Sequence, residues 1–424
     1  MDPEGTLTGH ALMVDAGRIV AILPAEVATA EYAARTTLVL DSHVLIPGLV
    51  NAHAHTAMCL MRGIADDVPL KQWLEQQIWP REANFVSTEF VFDGTMLGAA
   101  EMLRGGITCC NDMYFFPDAA ARAYEIAGMR AVLGLPILDF ATPYAGDADA
   151  YLERGLEARD AFKHVPQLTF ALAPHAPYTI SDATWQKIAM YAHQLELPIE
   201  THLAETRDEV EGSLAATHET PLARLDRLGV TGPDFVAIHS VHVTTADIAM
   251  LAAQGCHVVH CPASNMKLAS GIAPVAALVA AGVNVALGTD GAASNNRLDI
   301  FSEMRLASLL AKVATGDAAA LPAISALRMA TLNGARALGL DAVTGSLVPG
   351  KWADMVAVDL SALDAMPVFD PVSHLVHVAG RECVSDVWVG GVRIVESRAL
   401  TTLDEQRVAA RTRAWQAKLA AFSA

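Results

Sequence analysis

The chain has 424 residues, 53% of them hydrophobic and 18% charged, which supports a large buried core and excludes a disordered chain. Its 29 Lys and Arg against 47 Asp and Glu leave a formal charge of −18. Such a surface repels phosphate backbones and anionic lipid, so no nucleic acid and no membrane is expected as partner, whereas a small neutral molecule is compatible.

The opening residues, MDPEGTLTGH, show no basic segment followed by an apolar run, and no secretory leader is expected. The six cysteines (Cys59, Cys109, Cys110, Cys256, Cys261 and Cys383) form no C-x-x-C pair, so reduced core thiols in a cytoplasmic enzyme are the expectation. From about Ala11 to Leu45 short apolar runs (ALMVD, RIVAIL, TLVLDSHVLI) alternate with turn residues, as in β-structure. The same texture returns from about Gly345 to Glu396. The two flanks, residues 1–46 and 346–400, are therefore expected to build one small β-sandwich, with a surface helix over 401–424.

Between the flanks, residues 47–345 alternate apolar strands with helical stretches. Eight strand candidates cover 49–55, 108–114, 130–138, 168–176, 198–205, 234–241, 257–264 and 283–291. This pattern predicts a (β/α)8 TIM barrel. Gly105, Gly106 and Gly282 stand where helix C-caps fall. The longest uncharged stretch, 272–287, contains Pro274 and Gly282 and reads as a helix followed by a buried strand, not a membrane span. The apolar-rich helix over 300–313 could pair two copies as a homodimer, although internal packing is the simpler reading.

In such barrels chemistry sits at the C-terminal ends of the strands. The first candidate ends in His53 and His55, the fourth in His175, and the fifth in His202 followed by Glu205. The sixth ends in His239, the eighth in Asp290, and the seventh in Cys-Pro-Ala-Ser-Asn. An H-x-H pair alone is common without a metal, His239 alone would serve as a core histidine, and Asp290 before Gly291 could simply start a turn. What separates these residues from the chain's other histidines is their shared position at one end of the barrel. Residues i and i+2 of a strand face the same way, so His53 and His55 can grip one ion. With His202 and Asp290 they form a thiolate-free set that suits Zn2+, with Fe2+ a close rival.

The segments PGLVNAHAHTAMCLMRG, THLAET, IHSVHV, HCPASNMKL and GTDGAASNNRLDIF resemble the amidohydrolase superfamily. More narrowly they are similar to its 5'-methylthioadenosine/S-adenosylhomocysteine deaminases, in the branch that includes the chlorotriazine hydrolases. The resemblance runs over nearly the whole chain, including GSLVPGKWADMVAVD. It implies one divalent metal on His53, His55, His202 and Asp290, because the bridging lysine of binuclear relatives is absent and His175 stands near that place. It further implies Glu205 as the proton-shuttling carboxylate, His239 beside the attacking water, and Asp290 as a proton acceptor. Glu82 would hold the ribose hydroxyls, His175 would contact the substrate, and Trp73 would cover the 5' side. The implied reaction is hydrolytic replacement of the C6 amino group of an adenine nucleoside by oxygen. Hydrolases of guanine, pterins or triazines share the constellation, and a non-catalytic scaffold is the remote alternative. Between Phe140 and Tyr151 the chain reads ATPYAGDADA, without Arg or Lys, and Arg154 is the first nearby cation. S-adenosylhomocysteine needs a partner for its carboxylate, so 5'-methylthioadenosine is the expected substrate, with adenosine next.

Overall fold

The computed structural model describes residues 5–422, and within them fifteen strands form three sheets. The strands are β1 (His10–Asp15), β2 (Arg18–Pro24), β3 (His43–Pro47), β4 (Leu49–Ala54) and β5 (Ile107–Met113). Then come β6 (Arg130–Ile137), β7 (Leu168–Pro174), β8 (Ile199–Leu203), β9 (Phe235–His239), β10 (His257–His260) and β11 (Asn284–Leu287). The series ends with β12 (Met355–Asp359), β13 (Val384–Val389), β14 (Val392–Glu396) and β15 (Ala399–Leu400). Residues 1–4 and 423–424, the outer ends of the two flanking segments expected from sequence, lie outside the described residues.

Strands β4 to β11 pair in sequence order, all parallel, with helices between them. Every residue of β5 and of β6 is buried, as expected where helices cover one face and the barrel interior the other. The ring is completed between β11 and β4 by the turn beyond β11. Asp290 N–H donates to the His53 carbonyl at 3.0 Å, and Thr289 N–H to Asn51 Oδ1 at 2.9 Å. Gly288 allows this approach, since a Cβ there would stand 2.9 Å from the His53 backbone N and O. The architecture is the (β/α)8 barrel that the alternation predicts. Its strands stop short of the expected ends, so His55, His175, Glu205 and Asp290 sit on the connections just past them.

The flanks contribute unequally. Only β3 from the N-terminal flank joins the five-stranded antiparallel sheet, in the order β15-β14-β13-β12-β3. β1 and β2 form a separate two-stranded sheet, set apart from β3 by the helix Ala25–Glu31 and an unpaired stretch before His43, with one bridge from Arg18 to Trp352. The hairpin docks through Ile19 N–H to Lys351 O at 2.9 Å and Ala353 N–H to Gly17 O at 2.8 Å. Ile19, Ala353 and Met355 are buried in the apolar layer the hairpin and the larger sheet share. A buried ion pair, Arg130 Nε to Asp354 Oδ2 at 3.0 Å, links this β-region to the start of β6.

The helix Glu405–Ala420 packs Val408, Trp415 and Leu419 inward, with Trp415 Nε1 donating to Asp93 at 2.8 Å. The helix Ile300–Thr315 likewise buries Ile300, Phe301, Met304, Ala307 and Ala311 and leaves Leu309 and Val313 exposed. Among the described residues no helix is long and apolar enough to cross a membrane.

Candidate active site

Three imidazoles converge at the C-terminal mouth of the barrel, two of them oriented by backbone carbonyls. His53 is the penultimate residue of β4 and is fully buried, with neither ring nitrogen hydrogen-bonded among the described residues. His55 follows the strand, and its Nδ1 lies 2.5 Å from the Met113 carbonyl at the end of β5. His202, in β8, places Nδ1 2.6 Å from the His175 carbonyl. Since a carbonyl only accepts, both rings carry their proton on Nδ1 and turn an Nε2 lone pair inward. The two Nε2 atoms are 3.3 Å apart, close enough for one cation to bind both rings, or for a proton on His55 Nε2 to bridge them in its absence.

Asp290 closes the cluster from the opposite side. Its Oδ1 is 3.2 Å from His55 Nε2 and 3.5 Å from His53 Nε2, while Oδ2 accepts from Ser264 Oγ at 2.6 Å and Ser294 Oγ at 2.9 Å. Oδ2 is thus anchored by two hydroxyls, while Oδ1 accepts from Gly291 N–H at 2.8 Å and faces the histidines. Burial alone would raise this carboxyl, but the two histidines hold it well below the usual carboxylate range. Burial lowers His53 and His175 to about 4 and holds His202 well below its ordinary value, so all three are neutral, the form that ligates a metal. Burial also acts to lower His55, but Asp290 outweighs it and lifts His55 to about 9, a proton a bound cation would displace.

The end of β9 supplies His239, whose Nδ1 is 2.8 Å from Asn265 Oδ1 and whose Nε2 is 3.9 Å from Glu205 Oε2. Burial raises the Glu205 carboxyl and Asp290 adds to it, while His239 pulls it back. Its side chain has one weak partner, Ser270 Oγ at 3.5 Å. His239 and Asp290 adopt left-handed backbone, φ +67° and +60°, a conformation costly to non-glycine residues and concentrated at functional sites.

A cavity of about 300 Å³ opens over this cluster, lined by His55, His175, His202, Glu205, His239 and Asp290 at its floor. Glu82 and Trp73 line the wall contributed by residues 70–85, where a π-helical turn, Leu74–Ile78, separates them. Glu82 is buried and accepts from Tyr114 Oη at 2.7 Å, and burial raises its carboxyl. Trp73 is also buried. Phe140, Ala141, Thr142 and Pro143 line the cavity, but Arg154 does not. Its guanidinium donates instead to the Tyr144 carbonyl.

The structure therefore brings together His53, His55, His202, Asp290, His239, Glu205, His175, Glu82 and Trp73. Sequence reading overlooks the side chains that hold them. Ser264 and Asn265 belong to the noted Cys-Pro-Ala-Ser-Asn run, but their partners Asp290 and His239 are each 26 residues away. Ser294, Tyr114 and Glu209 carry no comparable signal.

The residues present fit a divalent cation. Donor atoms of His53, His55 and His202 lie within 4.8 Å of one another, as do those of His53, His239 and Asp290. The buried nitrogens of His53 remain unpartnered without an ion.

The model of the Amidohydrolase family matches residues 44–394. A curated 5-methylthioadenosine/S-adenosylhomocysteine deaminase from Teredinibacter turnerae is 48% identical over 410 residues, covering 97% of this chain and 93% of that one. A 5'-deoxyadenosine deaminase from Methanothermobacter thermautotrophicus is 44% identical over 86% of this chain and 85% of its own. The crystal structure of an adenosine deaminase from Xanthomonas campestris with bound zinc superposes with a TM-score of 0.97 at 48% identity. It covers 98% of this chain and 95% of that one.

Proposed function

The chain belongs to the amidohydrolase family, and on that premise we propose that it deaminates adenine nucleosides at C6, turning 5'-methylthioadenosine into 5'-methylthioinosine and ammonia. The observation that carries this reading is Glu205. It is a buried carboxyl of raised proton affinity, 3.9 Å from His239, in the same cavity as the histidine cluster and Glu82. A carboxyl able to hold and release a proton beside the cluster is what attack on a purine ring requires, because electron density arriving at C6 must be neutralised at N1.

His53, His55, His202 and Asp290 would hold a divalent cation, Zn2+ before Fe2+ on this donor set and on the zinc-bound relative, and that ion would supply hydroxide near neutral pH. His239, its Nδ1 committed to Asn265, presents Nε2 to the attacking oxygen and orients it. Asp290 takes one water proton and delivers it to the departing amine, so that the C6–N bond breaks with its electron pair leaving on ammonia. Glu205 delivers a proton to N1 and is recharged by the second water proton. Glu82 accepts from the ribose hydroxyls, His175 contacts the ring, and Trp73 covers the 5' side.

The 5' group is read from the wall beside it. Phe140 to Pro143 offer no cation, and Arg154 is spent on the Tyr144 carbonyl, so a homocysteine carboxylate would lose its water without an ionic partner. A methylthio group meets no such cost. The five buried cysteines among six fit a reducing compartment, which supports a cytoplasmic enzyme. Pairing as a homodimer has Leu309 and Val313 in its favour, exposed on an otherwise inward-packed helix.

The test is ammonia release by metal-assayed protein against 5'-methylthioadenosine, S-adenosylhomocysteine, adenosine, guanine and a chlorotriazine. The first should be the best substrate, with about one metal per chain. Equal or better turnover of S-adenosylhomocysteine removes the 5' assignment. Silence on every nucleoside removes the reading.

A further inference from the structure

The helix Arg207–Thr217 begins with Thr206 as its cap, whose Oγ accepts from Glu209 N–H at 3.3 Å. In an ordinary capping box the glutamate at this third position returns to the N–H of the cap residue itself. Here it does not. One Glu209 carboxylate oxygen accepts from Ala204 N–H and the other from Glu205 N–H, each at 2.9 Å. The carboxylate thus reaches past the helix and grips the link between β8 and the helix, on which Glu205 stands.

That link needs holding. Ala204 is in left-handed backbone, φ +48°, which an alanine adopts only when its surroundings impose it. On the far side the link is tied to the end of β9, through His242 N–H to the Ala204 carbonyl at 2.9 Å. The Glu205 side chain, by contrast, makes one long hydrogen bond among the described residues, from Ser270 Oγ at 3.5 Å, and stands 3.9 Å from His239, so its backbone carries much of its placement. We propose that Glu209 is a positioning residue for the Glu205 proton transfer, its carboxylate fixing the two amides that aim Glu205 into the cavity. Burial raises the Glu209 carboxyl to about 7, opposed by the two N–H groups it accepts from. A half-buried carboxylate of this kind is a costly way to cap a helix and an effective way to orient a neighbour.

The inference rests on Glu205 being the proton carrier, so the experiment reads both residues in the holoenzyme with 5'-methylthioadenosine. Glu209→Gln places an NH2 group against one of the two amides. It is expected to lower kcat about 10²-fold with KM nearly unchanged and metal content intact. Affinity for a tetrahedral 6-hydroxy-1,6-dihydropurine riboside, which carries a proton on N1, should fall in step with kcat. Thr206→Ala removes the cap and leaves the carboxylate. It should lower Tm and keep kcat. The proposal is overturned by a kcat for Glu209→Gln within threefold of the parent, or by an equal kcat loss in Thr206→Ala. Should Glu209→Gln not fold, Glu209→Asp, one methylene short of the amides, takes its place, and a normal kcat there overturns the proposal. Glu205→Gln separates the two readings. If it keeps turnover the premise fails, and if it alone loses turnover only the role of Glu209 fails.

Discussion

The backbone N–H of Asp290 donates to the carbonyl of His53 at 3.0 Å, so the barrel closes through two of its proposed metal ligands. Ligand geometry and ring closure are one constraint, and Gly288 is where it can be tested. A Cβ at Gly288 would meet Cβ, N and O of His53 at 2.9 Å, and backbone cannot give way cheaply. Gly288→Val should therefore lose bound metal along with turnover, read by elemental analysis of folded protein. Full metal occupancy in this variant would show that the seam between β11 and β4 is slacker than its geometry.

His53 gives the complementary case. Its ring is fully buried and, among the described residues, neither nitrogen makes a hydrogen bond, with Asp290 Oδ1 standing 3.5 Å from Nε2, an arrangement that costs stability unless an ion takes one of them. Chelation of the parent should lower Tm, and restoring Zn2+ should return it, with a stability gain of about 4 kcal/mol when free metal is a thousandfold above Kd. His53→Ala should show neither metal nor this thermal response. A chelator-insensitive parent would remove the metal from the folding balance.

Glu205→Gln tests the chemistry without disturbing the cluster, since Glu205 is not among the grouped metal donors. Metal content should be unchanged and kcat should fall by about 10²–10⁴-fold, the range of one lost proton transfer. Near-normal turnover with metal retained would take the proton away from this carboxyl.

The site was legible in unequal parts. His53, His55, His202, His239 and Asp290 announce themselves because parallel strands bury apolar side chains, and ionisable residues gathered at one end of several such strands are hard to explain by packing alone. Their supports are silent because each is an ordinary polar residue brought in by tertiary folding. Ser264 and Ser294 on Asp290, and Asn265 on His239, become visible only when the connections are folded over the mouth. Glu209 is hidden more thoroughly, since T-x-x-E reads as a helix cap and only the folded chain sends its carboxylate elsewhere. In the small β-region apolar texture predicts strands but not partners. The run TLVLDSHVLI is half extended coil because β3 can pair only where β12 runs alongside it, from His43 to Pro47.

The two architectural units also share a charge cluster with a predictable pH response. Glu101 binds Arg62 and, at 2.6 Å, Arg381, which precedes β13. Burial acts to raise its carboxyl, but the two guanidinium groups hold it below the usual range. A depressed folded value contributes stability that is present above the unfolded pKa of about 4.3 and is lost as pH falls through the folded value. Glu101→Gln should thus be less stable than the parent at pH 7, with the gap closing below about pH 4. A constant gap in urea midpoints across that window would show that packing, not charge, carries the effect.

Glu82 lies at the other end of the cavity, its carboxylate fixed by Tyr114 Oη at 2.7 Å. Removing it should raise KM and lower kcat together for nucleosides, because the ribose would no longer hold the ring over Glu205. The missing cation beside it makes the sharper case. Phe140 lines the cavity and is 44% exposed, so an arginine there can reach the 5' end without being buried. A charge-assisted hydrogen bond to a carboxylate is worth about 1.5–3 kcal/mol, or roughly 10–150-fold. Phe140→Arg should therefore raise kcat/KM for S-adenosylhomocysteine by a factor in that range relative to 5'-methylthioadenosine. If the ratio does not move, the 5' group is selected by the shape of the wall over residues 70–85 and not by the charge it lacks.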